Sequence, residues 1–308
     1  MDKQNFKYTR TEEEERLDAF VAGEMPEFSR GFLKDLIKQK CITVNGEVVK
    51  PSYILKLDDE IEITFPENKS SETTLKKLLI HEDKHLLVIR KPSGLLVHPL
   101  SPTWETTPEA AFAAEETLVS ILLADKPKDM EEGLERVGMV HRLDKDTSGV
   151  MLFTKTKKMQ DKLKELFANR KMDKTYNAIL CGTPKDKQGI INVPIGRVAG
   201  GKIKASPVGR EAITEYKIVQ QKKGFAFAEL YPKTGRTNQL RVHMAWLGYP
   251  VLGDWLYKGA TAKRLMLHSR KISFVHPITR KRVSYEVVPP KDFSDTWKAL
   301  VGSNLQTI

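Results

Sequence analysis

One carboxylate flanked by cations is the strongest candidate for chemistry in this chain. It is Asp144, in the run HRLDKDTSG at 141–149, with Arg142 and Lys145 beside it and an apolar, strand-like stretch at 150–153. Neighbouring cations keep a carboxylate ionised, as is required of a nucleophile or of an anion that stabilises developing positive charge. Aspartate-rich turns are also common structural features, so the spacing alone leaves a structural role open.

The same run resembles the signature of the RluA-type pseudouridine synthases, which isomerise uridine in ribosomal and transfer RNA. Further blocks resemble the family in the family's own order, at 81–99, 174–176, 234–243 and 248–254. The resemblance implies an enzyme that breaks the bond from ribose carbon 1′ to a ring nitrogen and joins carbon 1′ to carbon 5 of the base. Since substrate and product are isomers, no cofactor is expected.

The resemblance implies roles for three residues. Asp144 is implied as the catalytic aspartate, which either attacks the sugar carbon or stabilises the opened intermediate. Tyr176, in the block KTYNA, can stack on a flipped base and exchange a proton near the sugar. Arg241 lies on an otherwise apolar helical stretch, where a buried arginine needs a partner, and the implied partner is Asp144. Arg241→Ala is therefore predicted to lose most activity while the protein stays folded.

Five further cations are predicted to contact RNA. Arg142 is implied to fill the space that the flipped base leaves or to hold a phosphate, and Arg236 to contact phosphate or cap its turn. Arg30, Lys34 and Lys38 recur four residues apart, so they line one face of a predicted helix. An ordinary solvent-exposed helix has the same pattern.

Two features depart from the family. Asn238 stands where the family usually has histidine, and an amide can keep a hydrogen bond but cannot titrate near neutrality. The segment 99–116 replaces a short polar connection. His141 and His243 are expected to be hydrogen-bonded structural groups rather than catalysts.

Two domains are predicted to position these residues. Residues 12–66 resemble the S-four-type RNA-binding domain, named after a ribosomal protein. We expect a short helix at 16–21, a second helix capped by Ser29 and ending near Lys40, a hairpin turning at Asn45-Gly46, and a strand at 61–65. A polar linker at 67–74 follows.

Residues 75–295 form the predicted catalytic domain. The strands expected there are 86–89, 150–153, 176–180 and 225–231, and the expected helices are 117–123, 159–167 and 238–247, the last with Thr237 near its cap. Strands mixed with helices favour an α+β fold with a mixed, largely antiparallel sheet flanked by helices.

Composition sets the remaining expectations. The 308 residues carry a net charge of +11, which fits a polyanionic partner as well as a lysine-rich surface. No apolar run is long enough for a membrane span and no signal core begins the chain, so a cytoplasmic location is expected. Cys41 and Cys181 are expected to be reduced, and the histidines lack metal-ligand spacing, so no metal is expected. A monomer is expected.

The leading interpretation is therefore an RNA pseudouridine synthase acting on large-subunit ribosomal RNA, because the N-terminal module resembles members that act there. Transfer RNA is the alternative substrate. A non-catalytic ribosome-assembly factor that kept the fold is an alternative from another class. A glycosidase-like hydrolase is a further alternative, although that chemistry usually needs two carboxylates across the sugar and only one is evident.

Overall fold

The chain is divided into two compact units. The computed structural model describes residues 3–10, 14–26, 28–65, 73–100, 102–106, 108–113 and 115–302. The first unit comprises the described residues of Met1–Lys77, Leu96–Lys128 and Glu135–Val137, and the second those of Leu78–Leu95, Asp129–Leu134 and Gly138–Ile308. Of the predicted linker at 67–74, only Thr73 and Thr74 lie within the described residues.

The N-terminal part of the first unit packs two helices on a small sheet. Its elements are β1 (Lys3–Lys7), α1 (Leu17–Glu24), α2 (Arg30–Lys38), β2 (Ile42–Val44) and β3 (Glu60–Thr64). The three strands are antiparallel in the order β1-β3-β2. Ser29 caps α2, as predicted, by accepting a hydrogen bond from the backbone N–H of Phe32 at 3.3 Å. The predicted apolar stripe of α2, Leu33, Leu36 and Ile37, is fully buried.

The hairpin predicted at Asn45-Gly46 is only half correct. Both turn residues adopt positive φ, and Val44 and Glu47 exchange two backbone hydrogen bonds of 2.9 Å. However, the chain does not continue as a second arm, and Val48 is exposed. The main partner of β2 is instead β3. This strand contributes the buried side chains of Ile61 and Ile63, whereas the residues immediately after the turn contribute no comparable buried side chains.

The segment Leu96–Lys128 belongs to the first unit, whereas the sequence analysis placed it in the catalytic domain. A single helical turn, α3 (Leu75–Leu78), precedes this segment in the sequence. The segment itself contains two 3-10 helices, Pro102–Glu105 and Pro108–Ala113, followed by α4 (Leu118–Ala124). The hydroxyls of Thr103 and Ser29 lie 2.7 Å apart, which ties the segment to the start of α2. Such long-range contacts are invisible to local sequence patterns.

The second unit is built on a nine-stranded sheet. Eight strands follow the order β4-β5-β6-β13-β7-β12-β11-β8, and β14 pairs with β13. These strands are β4 (Leu79–Glu82), β5 (Leu86–Lys91), β6 (Ser148–Thr154), β7 (Asp173–Cys181), β8 (Gln188–Asn192), β11 (Ile213–Lys222), β12 (Phe225–Pro232), β13 (Leu267–Val275) and β14 (Arg282–Glu286). A two-stranded sheet pairs β9 (Ile195–Arg197) with β10 (Ile203–Ala205). Within the nine-stranded sheet only β6 and β13 run parallel, so the predicted mixed, largely antiparallel sheet is confirmed.

Helices cover both faces of this sheet. They are α5 (Lys157–Ala168), α6 (Gln239–Trp246) and α7 (Lys291–Val301). Residues alternate between faces along a strand, so Ala178 and Leu180 of β7 pack with α6, and Ile179 packs with α7. The predicted α6 is confirmed, with Thr237 next to its N-cap residue Asn238, which adopts left-handed backbone angles. Within the described residues, none of the helices combines the length and the apolar character that crossing a membrane requires.

Candidate active site

One cavity of about 530 Å³ in the second unit brings together all the site residues predicted there. Its lining includes Asp144, Tyr176 and Arg241, together with Arg142 and Arg236. They come from the loop before β6, from β7, from the loop before α6 and from α6 itself. Residues distant in sequence therefore meet at one site.

The central strand β13 joins the two elements that hold Asp144 and Tyr176. Ser269 of β13 pairs on one side with Gly149 of β6 and on the other with Tyr176 of β7. Gly149 has φ +127°, and a Cβ there would lie 2.1 Å from the carbonyl oxygen of Ser269. The glycine of the HRLDKDTSG run is thus required for this close approach.

A buried lysine fixes the loop that carries Asp144. Lys91 is fully buried, and its ammonium donates to the carbonyl oxygens of Pro92, Leu95 and Lys145 at 2.8, 2.7 and 2.8 Å. The N–H of Gly94 also donates to the Lys145 carbonyl, at 3.0 Å. Burial lowers the pKa of Lys91 to about 7, against the pull of two nearby aspartates. The KPSG block therefore holds the HRLDKD loop in place.

The carboxylate of Asp144 is partly open to the cavity. Its side chain is 29% exposed, and its Oδ2 lies 3.7 Å from Nη1 of Arg241. Burial raises the pKa of Asp144 above its ordinary value, although the positive charges of Arg241 and Arg142 act in the opposite direction. The charge of Arg142, one of the two flanking cations in the sequence, acts on Asp144 as expected, but together with Arg241 it does not fully offset the loss of water.

Tyr176 is held next to Asp144 as a neutral phenol. Burial and, to a smaller extent, the negative charge of Asp144 raise the pKa of Tyr176 to about 12, although a hydrogen bond with Ser269 acts in the opposite direction. At neutral pH the phenol can donate a hydrogen bond and offer a ring face, but it is a poor proton acceptor. Of the two options left open for its hydroxyl, the structure favours donation.

Arg241 has a different main partner from the one implied by the sequence. Its Nε and Nη2 donate to the two oxygens of Asp254 at 2.7 and 2.9 Å, whereas Asp144 is the more distant carboxylate. The Asp254 side chain is fully buried. A bidentate pair with a buried carboxylate fixes the plane of the guanidinium and leaves Nη1 directed toward Asp144.

The hydrogen bonds of Asn238 explain how an asparagine can stand where the family usually has histidine. Its Oδ1 accepts a hydrogen bond from Nη1 of Arg241 at 3.1 Å, and its Nδ2 donates to the hydroxyl of Tyr257 at 3.2 Å. That hydroxyl donates to the carbonyl of Ile203 at 2.8 Å, and the guanidinium of Arg241 lies 5.2 Å from the centre of the Tyr257 ring. The amide therefore positions Arg241 with hydrogen bonds that need no titration.

Arg236 lies in a braced turn. Its Nε donates to the Glu211 carbonyl at 3.0 Å, and its backbone N–H donates to the side chain of Gln239 at 3.0 Å. Gln239 is buried and also bonds to Thr234 and Thr214. The turn before α6 is thus tied to β11.

The cavity lining is strongly cationic. Its ionisable cations are Arg142, Arg170, Lys174, Lys233, Arg236 and Arg241, and the one carboxylate of the lining is Asp144. Arg170 and Lys233 form ion pairs with Glu211 and Glu215. An excess of positive charge suits a site that receives a phosphate backbone.

His141 and His243 make the hydrogen bonds expected of structural groups. Nε2 of His141 accepts from the backbone N–H of Leu152 at 2.9 Å. His243 is fully buried between the hydroxyl of Thr214 at 2.8 Å and the carbonyl of Val193 at 2.9 Å. Burial lowers the pKa of both histidines, that of His141 to about 3.

The other three predicted RNA contacts lie on α2, in the first unit. Arg30 and Lys34 approach the buried carboxylate of Asp18 at 2.8 and 3.4 Å, and Arg16 approaches it at 3.0 Å. Burial alone would raise the pKa of Asp18, but hydrogen bonds from Arg16 and Arg30 hold it well below its usual range. Three cations around one carboxylate leave a positive excess. Lys38 pairs with Asp35 on its own helix at 3.2 Å.

Sequence reasoning missed Asp254 and Tyr257 as parts of the site. The signal for a missing partner was present, because a buried arginine on an apolar helix requires a carboxylate. Asp254 was noted only as the last residue of the family block at 248–254, and Tyr257 lies outside that block. Among the described residues no group of three His, Cys, Asp or Glu side chains is placed to hold a metal ion.

Comparison with known proteins gives consistent results for both units. A family model described as RNA pseudouridylate synthase matches residues 85–246, and the S4 domain model matches residues 15–61. The chain is 36% identical over 309 aligned residues to an uncharacterized RNA pseudouridine synthase of Aquifex aeolicus, with 94% of each chain covered. It is 33% identical to the ribosomal large subunit pseudouridine synthase D of Pasteurella multocida, covering 93% of this chain and 91% of that protein.

A solved structure is also similar. Human RNA Pseudouridylate Synthase Domain Containing 4 matches with a TM-score of 0.58 and 27% sequence identity, covering 73% of this chain and 94% of that one.

Proposed function

The chain belongs to the RNA pseudouridine synthase family, and from this premise we propose that it isomerises uridine in large-subunit ribosomal RNA with Asp144 as the catalytic carboxylate. The observation that carries the proposal is the meeting of Asp144, Tyr176 and Arg241 at one cavity, with Asp144 the single carboxylate among its lining cations. A glycosidase-like hydrolase usually needs two carboxylates across the sugar, and the cavity lining contains no carboxylate besides Asp144.

The reaction replaces one bond to ribose carbon 1′ by another. The bond from carbon 1′ to the ring nitrogen breaks, the base turns, and carbon 5 bonds to carbon 1′. The proton of carbon 5 leaves to water and the released ring nitrogen takes up a proton, so that substrate and product are isomers. Asp144 serves this exchange either by attacking carbon 1′ or by stabilising the positive charge that develops there. Arg241, fixed by Asp254, orients the carboxylate and favours its ionised form.

Tyr176 and Arg142 serve the flipped base. The uridine must leave its stack, which costs on the order of a few kcal/mol. The ring of Tyr176 supports the extruded base, and its neutral hydroxyl donates a hydrogen bond near the sugar. Arg142 fills the vacated space or holds a phosphate, and Arg236 contacts the backbone.

The S4 domain supplies a second RNA contact. Arg30 and Lys34, tethered by Asp18, and Lys38 present positive charge from α2. Relatives named as acting on the ribosomal large subunit support ribosomal over transfer RNA as the substrate. A monomer in the cytoplasm is part of the proposal, and sedimentation of the purified chain at micromolar concentration checks the oligomeric state.

Release of tritium tests the reaction. Unmodified large-subunit ribosomal RNA and transfer RNA, each labelled with tritium at uridine carbon 5, are incubated with the purified chain. We expect release from the ribosomal RNA, since isomerisation expels that hydrogen. Asp144→Asn is expected to abolish release while leaving RNA binding intact.

Asp161→Asn is the control, because it makes the same change at an exposed carboxylate of α5 outside the cavity lining. It is expected to keep turnover within a few-fold of the wild type. Release by Asp144→Asn at the wild-type rate would overturn the role of Asp144. Release from transfer RNA alone would overturn the substrate, and salt-sensitive binding without any release would indicate an assembly factor.

A further inference from the structure

Trp255 is an aromatic side chain on the surface that none of the roles above uses. It is 79% exposed, the most exposed of the chain's four tryptophans, whereas Trp104 and Trp297 are buried. Scattered exposed valine or leucine side chains are ordinary on protein surfaces. An indole is larger, and leaving it in water forgoes more burial free energy, so its position calls for a physical reason.

The backbone on both sides of Trp255 is closely packed and hydrogen-bonded, which favours the exposed position of the indole. Asp254 caps the 3-10 helix Trp255–Tyr257, accepting from the N–H of Tyr257 at 3.2 Å. Two close approaches lock the rest of the loop: a Cβ at Gly253 would lie 2.0 Å from the carbonyl of Arg264, and one at Gly259 2.0 Å from that of Val251.

The same anchor connects Trp255 to the active site. Asp254, the preceding residue, holds Arg241, and Arg241 reaches to within 3.7 Å of Asp144. The indole is therefore set on the scaffold that positions the catalytic carboxylate.

Unpaired positive charge accompanies the indole. Lys258 and Lys263 of the same loop are exposed, and neither has an ion-pair partner within the part of the chain that the structure describes. The stretch from Trp255 to Arg264, WLYKGATAKR, contains no acidic residue. An exposed aromatic face beside lysines is the arrangement with which proteins hold single-stranded nucleic acid, since bases stack and phosphates pair.

We propose that Trp255, with Lys258 and Lys263, forms a second nucleotide subsite, where an unpaired base flanking the target uridine stacks on the indole and the lysines contact its phosphates. The inference rests on the chain being an RNA-isomerising enzyme and not on which RNA is its substrate. The subsite would favour targets whose flanking nucleotide is unpaired, because a base inside a duplex presents no free face.

The test compares tryptophan variants in full-length protein carrying Asp144→Asn, so that RNA binds without turnover. The probe is whichever unmodified RNA the wild type isomerises, ribosomal or transfer. Trp255→Ala is expected to weaken binding about 5- to 150-fold, and Trp255→Phe by less because the smaller ring still stacks. Trp246→Ala removes another exposed tryptophan, five residues beyond Arg241, and is expected to bind like the parent.

Salt dependence separates the two kinds of contact. Lys258→Ala and Lys263→Ala are each expected to reduce the slope of log binding constant against log salt by about 0.7, while Trp255→Ala leaves it unchanged. Binding by Trp255→Ala within twofold of the parent would overturn the subsite. Turnover on transfer RNA alone overturns only the proposed substrate, since the same variants are then compared on that RNA.

If the wild type isomerises neither RNA, the proposed function fails while the subsite is still tested. The fluorescence difference between wild type and Trp255→Phe is then followed as each RNA is added. Quenching of that difference signal supports stacking, and an unchanged signal in the presence of bound RNA contradicts it.

Discussion

At the scale of single residues, the site depends on how a few charges are buried. Arg241 lies between Asp254, which is fully buried, and Asp144, which is partly open to the cavity. The first contact is structural, and the second faces the cavity in which we propose that the reaction occurs. A substitution of Arg241 therefore changes folding and chemistry together, and the two effects need separate measurements.

Arg241→Ala is expected to lose both activity and stability, which revises the expectation that the variant simply stays folded. Leaving Asp254 buried without its partner costs about 3–5 kcal/mol of unfolding free energy. Arg241→Ala with Asp254→Ala removes both charges and is expected to recover much of that loss without recovering turnover. Denaturant unfolding and tritium release measure the two effects. Recovered turnover in the double variant would contradict a role for Arg241 beyond packing.

The acid side of the activity profile is predicted from Asp144. Its carboxylate must be ionised to act, and burial raises its pKa, so kcat/KM is expected to fall with decreasing pH at a higher pH than an ordinary aspartate would give. Arg142→Gln removes a positive charge that favours ionisation, so it should shift this limb further upward in pH. Arg142→Lys keeps the charge and should leave the limb in place. If kcat/KM of Arg142→Gln fell over the same pH range as that of the wild type, the assignment of this fall to Asp144 would be contradicted.

At the scale of elements, the approach of β6 to β13 is the most demanding contact. Gly149→Ala would place a methyl group against the backbone of Ser269 in a conformation that L-residues avoid. We expect a loss of about 3 kcal/mol or more in unfolding free energy, from strain and overpacking together. Gly23→Ala is the matched control: it lies in α1 with open space around it, and alanine should be neutral or slightly stabilising there. Equal stability of the two variants would exclude the close approach.

Sequence patterns predicted the elements whose causes are local. The cap at Ser29, the stripe of α2 and the amphipathic α5 depend on residues within a few positions of one another. The insertion of β13 between β6 and β7 depends on pairing between distant segments, and no local period encodes it. The same limit explains why the resemblance implied Asp144 as the partner of Arg241, because only the fold shows that Asp254 lies closer.

The identity of the chemical groups was more predictable than their arrangement. Asp144, Tyr176 and Arg241 were named from the motifs that carry them, and the structure places them around one cavity. The flanking cations led to the expectation that Asp144 is readily ionised, but its pKa is raised, because desolvation depends on what packs around a group rather than on its sequence neighbours.

At the scale of the molecule, three neutral histidines predict acid sensitivity. Burial lowers the pKa of His141 to about 3 and that of His268 to about 4, and it also lowers that of His243. Since the unfolded value is about 6.5, the unfolded chain binds more protons below that pH, and stability present at neutral pH is lost as the pH falls. In the pH range where a histidine is protonated only in the unfolded state, it lowers the unfolding free energy by about 1.4 kcal/mol for each unit by which the pH falls.

Unfolding free energies measured between pH 7 and pH 5 test this linkage. His268 bonds the hydroxyl of Ser148 and the carbonyl of Val287, both at 2.8 Å, and His268→Gln can keep both bonds without titrating. The variant is expected to lose stability less steeply than the wild type over this range. Parallel slopes would show that His268 is not one of the groups responsible.

The position of β13 also sets when the enzyme can become active during its own synthesis. β6 and β7 precede it in the sequence, yet they are joined only through it. A nascent chain therefore has both Asp144 and Tyr176 outside the exit tunnel before the strand that holds them together has been translated. The ribosome that makes this protein must translate β13 before Asp144 and Tyr176 are held next to each other, so we expect nascent chains that end before Leu267 to be inactive.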